Sequence, residues 1–140
     1  MNVTFCGHGD IPNTHNIRVW LSTVIQSLIK QGATKFYIGG YGDFDNLAFN
    51  LLLKEKIFHP NIELILVLAY LNTTKDISKY DSTVYPPLEK VPRKFAILKR
   101  NQWMVEISDI IVCYVIHDWG GAYKTLEYAK RKKKQIIKYS

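Results

Sequence analysis

Apolar residues recur along this chain in two rhythms. Ile17, Trp20, Leu21, Val24, Ile25, Leu28 and Ile29 keep the i, i+3, i+4, i+7 spacing of one helix face. Gly32 follows, where a left-handed residue closes a helix. The second rhythm is a set of short β-branched and aromatic runs: "NVTFC", "TKFYIGG", "IELILVLAY", "DIIVCYV" and "QIIKYS". The third of these is nearly continuous in Leu, Ile and Val, as in a strand buried on both faces of a parallel sheet. Between the runs lie three further helical segments, "DFDNLAFNLLLKEK" with Asp43 as its N-cap, "KFAILKRNQWMVEIS" and "WGGAYKTLEYAK". Asn72 to Arg93 has no period and contains Pro86, Pro87 and Pro92, so it reads as a long loop. Its Tyr80 and Tyr85, with the prolines limiting its freedom, suit a semi-ordered lid over a binding site.

Strand and helix alternate from end to end. That order predicts an α/β three-layer, Rossmann-like sandwich with a mostly parallel five-stranded sheet, and the length fits a single domain over 1–140. Ligands in such sheets bind beyond the C-terminal ends of the strands, near the reversal of strand order. Three glycine-bearing loops follow strands here: "GHGD", "GGYGDFD" and "HDWGG".

The net charge of +7 changes this picture little. Much of it sits in Lys130, Arg131, Lys132, Lys133, Lys134 and Lys138, a run at a helix C-terminus that the macrodipole favours and water solvates. A small anionic ligand accounts for the excess as well as nucleic acid does, and no aromatic residues interleave a basic stripe. The sequence therefore argues against nucleic acid as a partner. No apolar run reaches the ~18 residues of a membrane span, and the residues after the first strand are amphipathic, so a cytoplasmic chain with no membrane partner is expected. Cys6 and Cys113 lie in strand-like runs and read as buried reduced thiols. His8, His15, His59 and His117 lack metal-ligand spacing; no metal and no cofactor are expected.

Backbone N–H groups at Gly39, Gly40 and Gly42 would point into the crevice and stabilise an anion, while Asp43 and Asp45 suit ribose hydroxyls or helix capping. Gly7 and His8 belong to the first loop, His8 as a ligand contact or a loop-fixing hydrogen bonder. Tyr41 and Trp119 offer stacking faces for a base. Arg100 and Asn101 begin the polar side of the third helix, Arg100 being a natural partner for phosphate or carboxylate. Gly120 and Gly121 precede the fourth helix; Lys124, Thr125 and Glu127 follow in its first two turns, with Glu127 open to pairing with Lys130 or Arg131.

Taken together, "GHGD", "GGYGDFD", "RNQWM" with its following Asp109, and "GGAYKTLEYAK" resemble the SLOG superfamily, the group that includes Lonely Guy proteins and DprA, and within it the small YpsA-like proteins of Firmicutes. The resemblance spans nearly the whole chain. Arg100, Met104 and Asp109 match the Arg, the Met four residues on and the Asp nine on of Lonely Guy enzymes, and Glu127 lies seven after Gly120, as their motif acid does. Trp119 stands at that motif's proline, Tyr123 and Lys124 at its third glycine and threonine, and Thr125 is displaced by one. The resemblance implies a crevice for a nucleotide or an ADP-ribose-like ligand and a homodimer or higher homo-oligomer. Its alternatives are a phosphoribohydrolase cleaving nucleoside monophosphates, with Arg100 and Glu127 catalytic, and a nucleic-acid-associated protein.

Overall fold

The computed structural model describes residues 1–12 and 14–140. Its strands are β1 (Asn2–Gly7), β2 (Lys35–Ile38), β3 (Glu63–Val67), β4 (Ser82–Val84), β5 (Ile110–Tyr114) and β6 (Gln135–Lys138). The α-helices are α1 (His15–Lys30), α2 (Gly42–Phe58), α3 (Ala96–Ile107) and α4 (Gly121–Arg131), and a short 3-10 turn at Arg93–Phe95 leads into α3. All pairings are parallel, in the order β4-β3-β2-β1-β5-β6. The architecture is the three-layer α/β sandwich that the alternation predicts, with six strands rather than five.

The extra strand, β4, lies inside the segment read as loop. Three residues are too few to display a period, and only pairing with β3 at Ile65, Leu66 and Val67 holds them extended. Before β4 the segment packs on α2, and after it Pro86, Pro87, Leu88 and Val91 border α3. Tyr80 stacks on Phe49 with centroids 4.5 Å apart, and Tyr70 lies under Arg93.

β1 shows how one strand serves two layers. Val3 and Phe5 point into the core built with α1 and α2, while Thr4 and Cys6 face α3 and α4. This is the period of two that puts alternate side chains on opposite faces. Residue periodicity on α1 is realised directly: Ile17, Leu21, Ile25 and Leu28 are buried, Thr14 caps Ile17 N–H, and Gly32 has φ +103°. α2 departs from the expected start. Tyr41 is its N-cap and Gly42 its first residue, because Asp43 N–H is already donated to Gly9 O at 2.8 Å and the Asp43 carboxylate turns away to accept from Ile11 N–H. No helix of the described residues is long and apolar enough to cross a membrane.

Candidate functional site

β1 lies between β2 and β5, and the chain reaches β5 only after running outward through β2, β3 and β4. The strand order therefore reverses beside β1, where loops diverge and leave a gap. A crevice of about 390 Å³ occupies it, lined by the end of β1 and its loop, Tyr41 of the second loop, Asp45 in the first turn of α2, one face of α3, and His117, Trp119, the two glycines, Ala122 and Thr125.

Ile97, Arg100, Asn101 and Met104 are the α3 face in question. Their spacing of three, four and seven puts them on one side of the helix. Arg100 is buried. Its Nη1 donates to Gly39 O at 2.9 Å and Val67 O at 3.0 Å, its Nε to Asn101 Oδ1 at 2.9 Å, and its guanidinium lies 5.4 Å from the Tyr41 ring centre. Nη2 has no protein acceptor among the described residues. Burial lowers the guanidinium's pKa, against the opposing pull of Asp45.

Asp45 sits beneath the second glycine loop. Its carboxylate accepts Tyr41 N–H at 3.2 Å and is also stabilised by Gly40 N–H. Burial pushes its pKa up to about 6, with Arg100 the largest influence holding it down. The anion cradle expected at residues 39–42 is thus filled by the protein's own carboxylate. The glycines there answer to packing: a side chain at Gly39 would meet the Arg100 guanidinium at 3.0 Å, and one at Gly42, where φ is +87°, would meet Gly9 Cα at 2.5 Å. Gly7 similarly makes room for Phe44.

The loop after β5 is built differently. His8, His117 and Trp119 form a continuous ring stack, with centroids 3.7 Å and then 3.8 Å apart and planes within 16° and 13°. Trp119 ends the stack at 67% exposure. Gly120, with φ +91°, is the N-cap of α4 and supplies no side-chain cap. The first-turn N–H groups of a helix have no intrahelical acceptor, so here they are available at the crevice wall. A side chain at Gly121 would meet nothing within 4 Å. Thr125 is buried below, its hydroxyl donating to Gly121 O at 2.9 Å.

Of the residues singled out in the sequence, Gly7, His8, Tyr41, Asp45, Arg100, Asn101, Trp119, Gly120, Gly121 and Thr125 line the crevice. Gly39, Gly40 and Gly42 stand behind it, and Asp43 faces a separate depression with Ile11. Lys124 is solvent-exposed, and Glu127 pairs with Lys130 at 3.1 Å outside the lining. The helical period explains this: Glu127 is about 200° around α4 from Thr125, which faces inward. Residues 72–93 contribute nothing to the lining, so the expected lid is not over this site. Cys6, Asp10, Ile97, Met104 and His117 line it unanticipated. Helical spacing from Arg100 would have found Ile97 and Met104, and adjacency to His8 and Trp119 would have found Asp10 and His117.

No family model matches the sequence, and no curated protein matches it. Solved structures do match. DNA processing protein A from Helicobacter pylori, described for its unique single-stranded DNA binding mode, aligns with a TM-score of 0.69 and 18% identity over 99% of this chain and 64% of its own. DNA processing protein A (DprA) from Streptococcus pneumoniae aligns at 0.71 and 14% over 98% of this chain and 49% of its own. The structural-genomics target TM1055 aligns at 0.62 and 14% over 96% and 71%. The expectation that nucleic acid is not a partner is corrected here. Two of these structures are DprA proteins, one described by its binding of single-stranded DNA, so charge distribution alone gave no ground for that exclusion. The likeness is one of fold: this chain shares the fold of the matched part of the DprA structures.

Proposed function

We propose that the crevice binds a nucleotide or nucleotide-derived small ligand. The observation that carries this reading is the convergence of three unlike groups on one cavity: the exposed Trp119 ring, the uncapped start of α4, and the Asp45 carboxylate. A base stacks on Trp119, an anionic group takes the N–H groups of the α4 first turn, and ribose hydroxyls donate to Asp45. Asp10 and Asp45 against the single Arg100 make the lining poor in positive charge. That favours a ligand with few phosphates, such as ADP-ribose or a nucleoside monophosphate, over a triphosphate. A hydrolase working through Glu127 draws no support from that residue's position.

A second reading is favoured by the DprA-like fold: one nucleotide of a single strand occupies the crevice while the run from Lys130 to Lys134 neutralises phosphates. Calorimetric titration of the whole chain with ADP-ribose, AMP and an oligothymidylate at low and moderate salt separates the two. Saturable binding of ADP-ribose or AMP with a shallow salt slope supports the first. Oligothymidylate binding that weakens steeply with salt supports the second. Binding of none of the three contradicts both.

A further inference from the structure

The ring stack rests on a hydrogen bond that fixes a protonation state. Ile116 N–H donates to His8 Nε2 at 2.9 Å, so that nitrogen must carry a lone pair, and neutral His8 holds its proton on Nδ1. At His117 the ring donates rather than accepts. Its Nδ1 lies 2.9 Å from Trp119 O, which only accepts, so Nδ1 bears a proton and the contact makes no demand on Nε2. Of the two stacked imidazoles, only His8 is held by a contact that requires an unprotonated ring nitrogen.

We propose that His8 is a positioning residue, a proton-sensitive latch whose neutral ring holds the loop after β5 in the form that presents Trp119 and the Gly120–Gly121 turn to the crevice. A proton on His8 Nε2 would face the Ile116 N–H donor to donor. The ring is 8% exposed, so little of the charge is solvated in place; the ring is driven outward, and the stack of His117 and Trp119 on it is lost. The groups around His8 are His117 on its face, Tyr114 of β5 edge-on at 6.1 Å, Cys6 and Asp10 from its own strand and loop, and Asp45 and Arg100 across the crevice. Burial, and then the neighbouring His117, lower the His8 pKa.

The sign follows from that direction. In the unfolded chain His8 titrates near its ordinary value of about 6.5. A folded value below this means the unfolded state binds the proton more readily. The latch's contribution is complete above the ordinary value and is lost as pH falls through the folded one.

The inference of a ligand effect rests on the crevice reading, so the test has two arms. In the ligand-free chain, histidine ring and backbone amide resonances are followed by NMR from about pH 8 to about pH 4.5. His8 is expected to titrate below its ordinary value, with the Ile116 and Gly120 amides moving at the same midpoint. In His117→Phe this coupled movement persists with a higher midpoint; in His8→Phe it disappears. His8 titrating at or above its ordinary value, or with the Ile116 amide unmoved, overturns the proposal. In the second arm, ADP-ribose, whose pyrophosphate keeps its charge across this range, loses affinity about tenfold per pH unit below the His8 midpoint, in excess of the loss seen in His8→Phe, where Asp45, titrating at about 6, still acts. An affinity that stays level through that midpoint also overturns it. Should ADP-ribose bind at no pH, the ligand reading fails and the coupled titration still decides the latch.

Discussion

After β2 the chain runs Gly39-Gly40-Tyr41-Gly42 into α2; after β5 it runs Trp119-Gly120-Gly121 into α4. Both are strand–glycine–helix turns at the same edge of the sheet, and as sequence they invite the same reading. The first is full. Its N–H groups at Gly40 and Tyr41 serve Asp45, that of Asp43 serves Gly9 O, and its glycines leave room for Arg100 and for the backbone of the first loop. The second is open, with an uncapped helix start and empty space where a Gly121 side chain would stand. Glycine permits close approach, and only the surroundings decide whether what approaches is the protein itself or a ligand.

Substitutions in the two turns should therefore have opposite signatures. The largest effect is expected at Gly42→Ala, where a positive φ and a backbone atom 2.5 Å from the new methyl act together. A loss of roughly 3 kcal/mol or more should appear as a lowered urea midpoint. Arg100→Met comes next. It leaves the carbonyls of Gly39 and Val67 unpaired in the interior, at a cost of roughly 2–3 kcal/mol by the same measurement. Gly121→Ala should leave the urea midpoint within about 0.5 kcal/mol of wild type, since its φ is not positive and its surroundings are empty, and should abolish ADP-ribose binding. A strongly destabilised Gly121→Ala, or a fully stable Gly42→Ala, would reverse the comparison. The smallest effect belongs to Glu127→Gln, which removes one partly exposed ion pair with Lys130, about 0.3–0.5 kcal/mol, and leaves ADP-ribose affinity unchanged.

The reach of the sequence follows the same division. Regular elements were legible because burial imposes a period: the α1 stripe, the unbroken apolar run of β3 and the alternation of β1 each state their environment. β4 was not, because three residues carry no period and are held by a neighbouring strand. At the site, the position of Trp119 on the crevice wall could be anticipated from its distance to the end of β5, and those of Arg100 and Asn101 from the polar side of the third helix. The filling of the first glycine turn by Asp45 could not, since it depends on how a carboxylate four residues beyond Tyr41 folds back on the loop. Nor could the position of His8 beneath His117, which joins two loops more than 100 residues apart in the chain. Glu127 is instructive in the other direction. Its spacing from Gly120 matches a motif, but helical geometry turns it out of the crevice.

The turn before α4 is the proposed seat of the ligand. Amide and indole chemical shifts of the whole chain, recorded while ADP-ribose is added, test this most directly. The largest changes are expected at Gly120, Gly121, Ala122 and the Trp119 indole, with smaller ones at His8 and Asp45. Changes concentrated in Lys130 to Lys138 or around Gly40 and Gly42, with the turn before α4 unmoved, would contradict it.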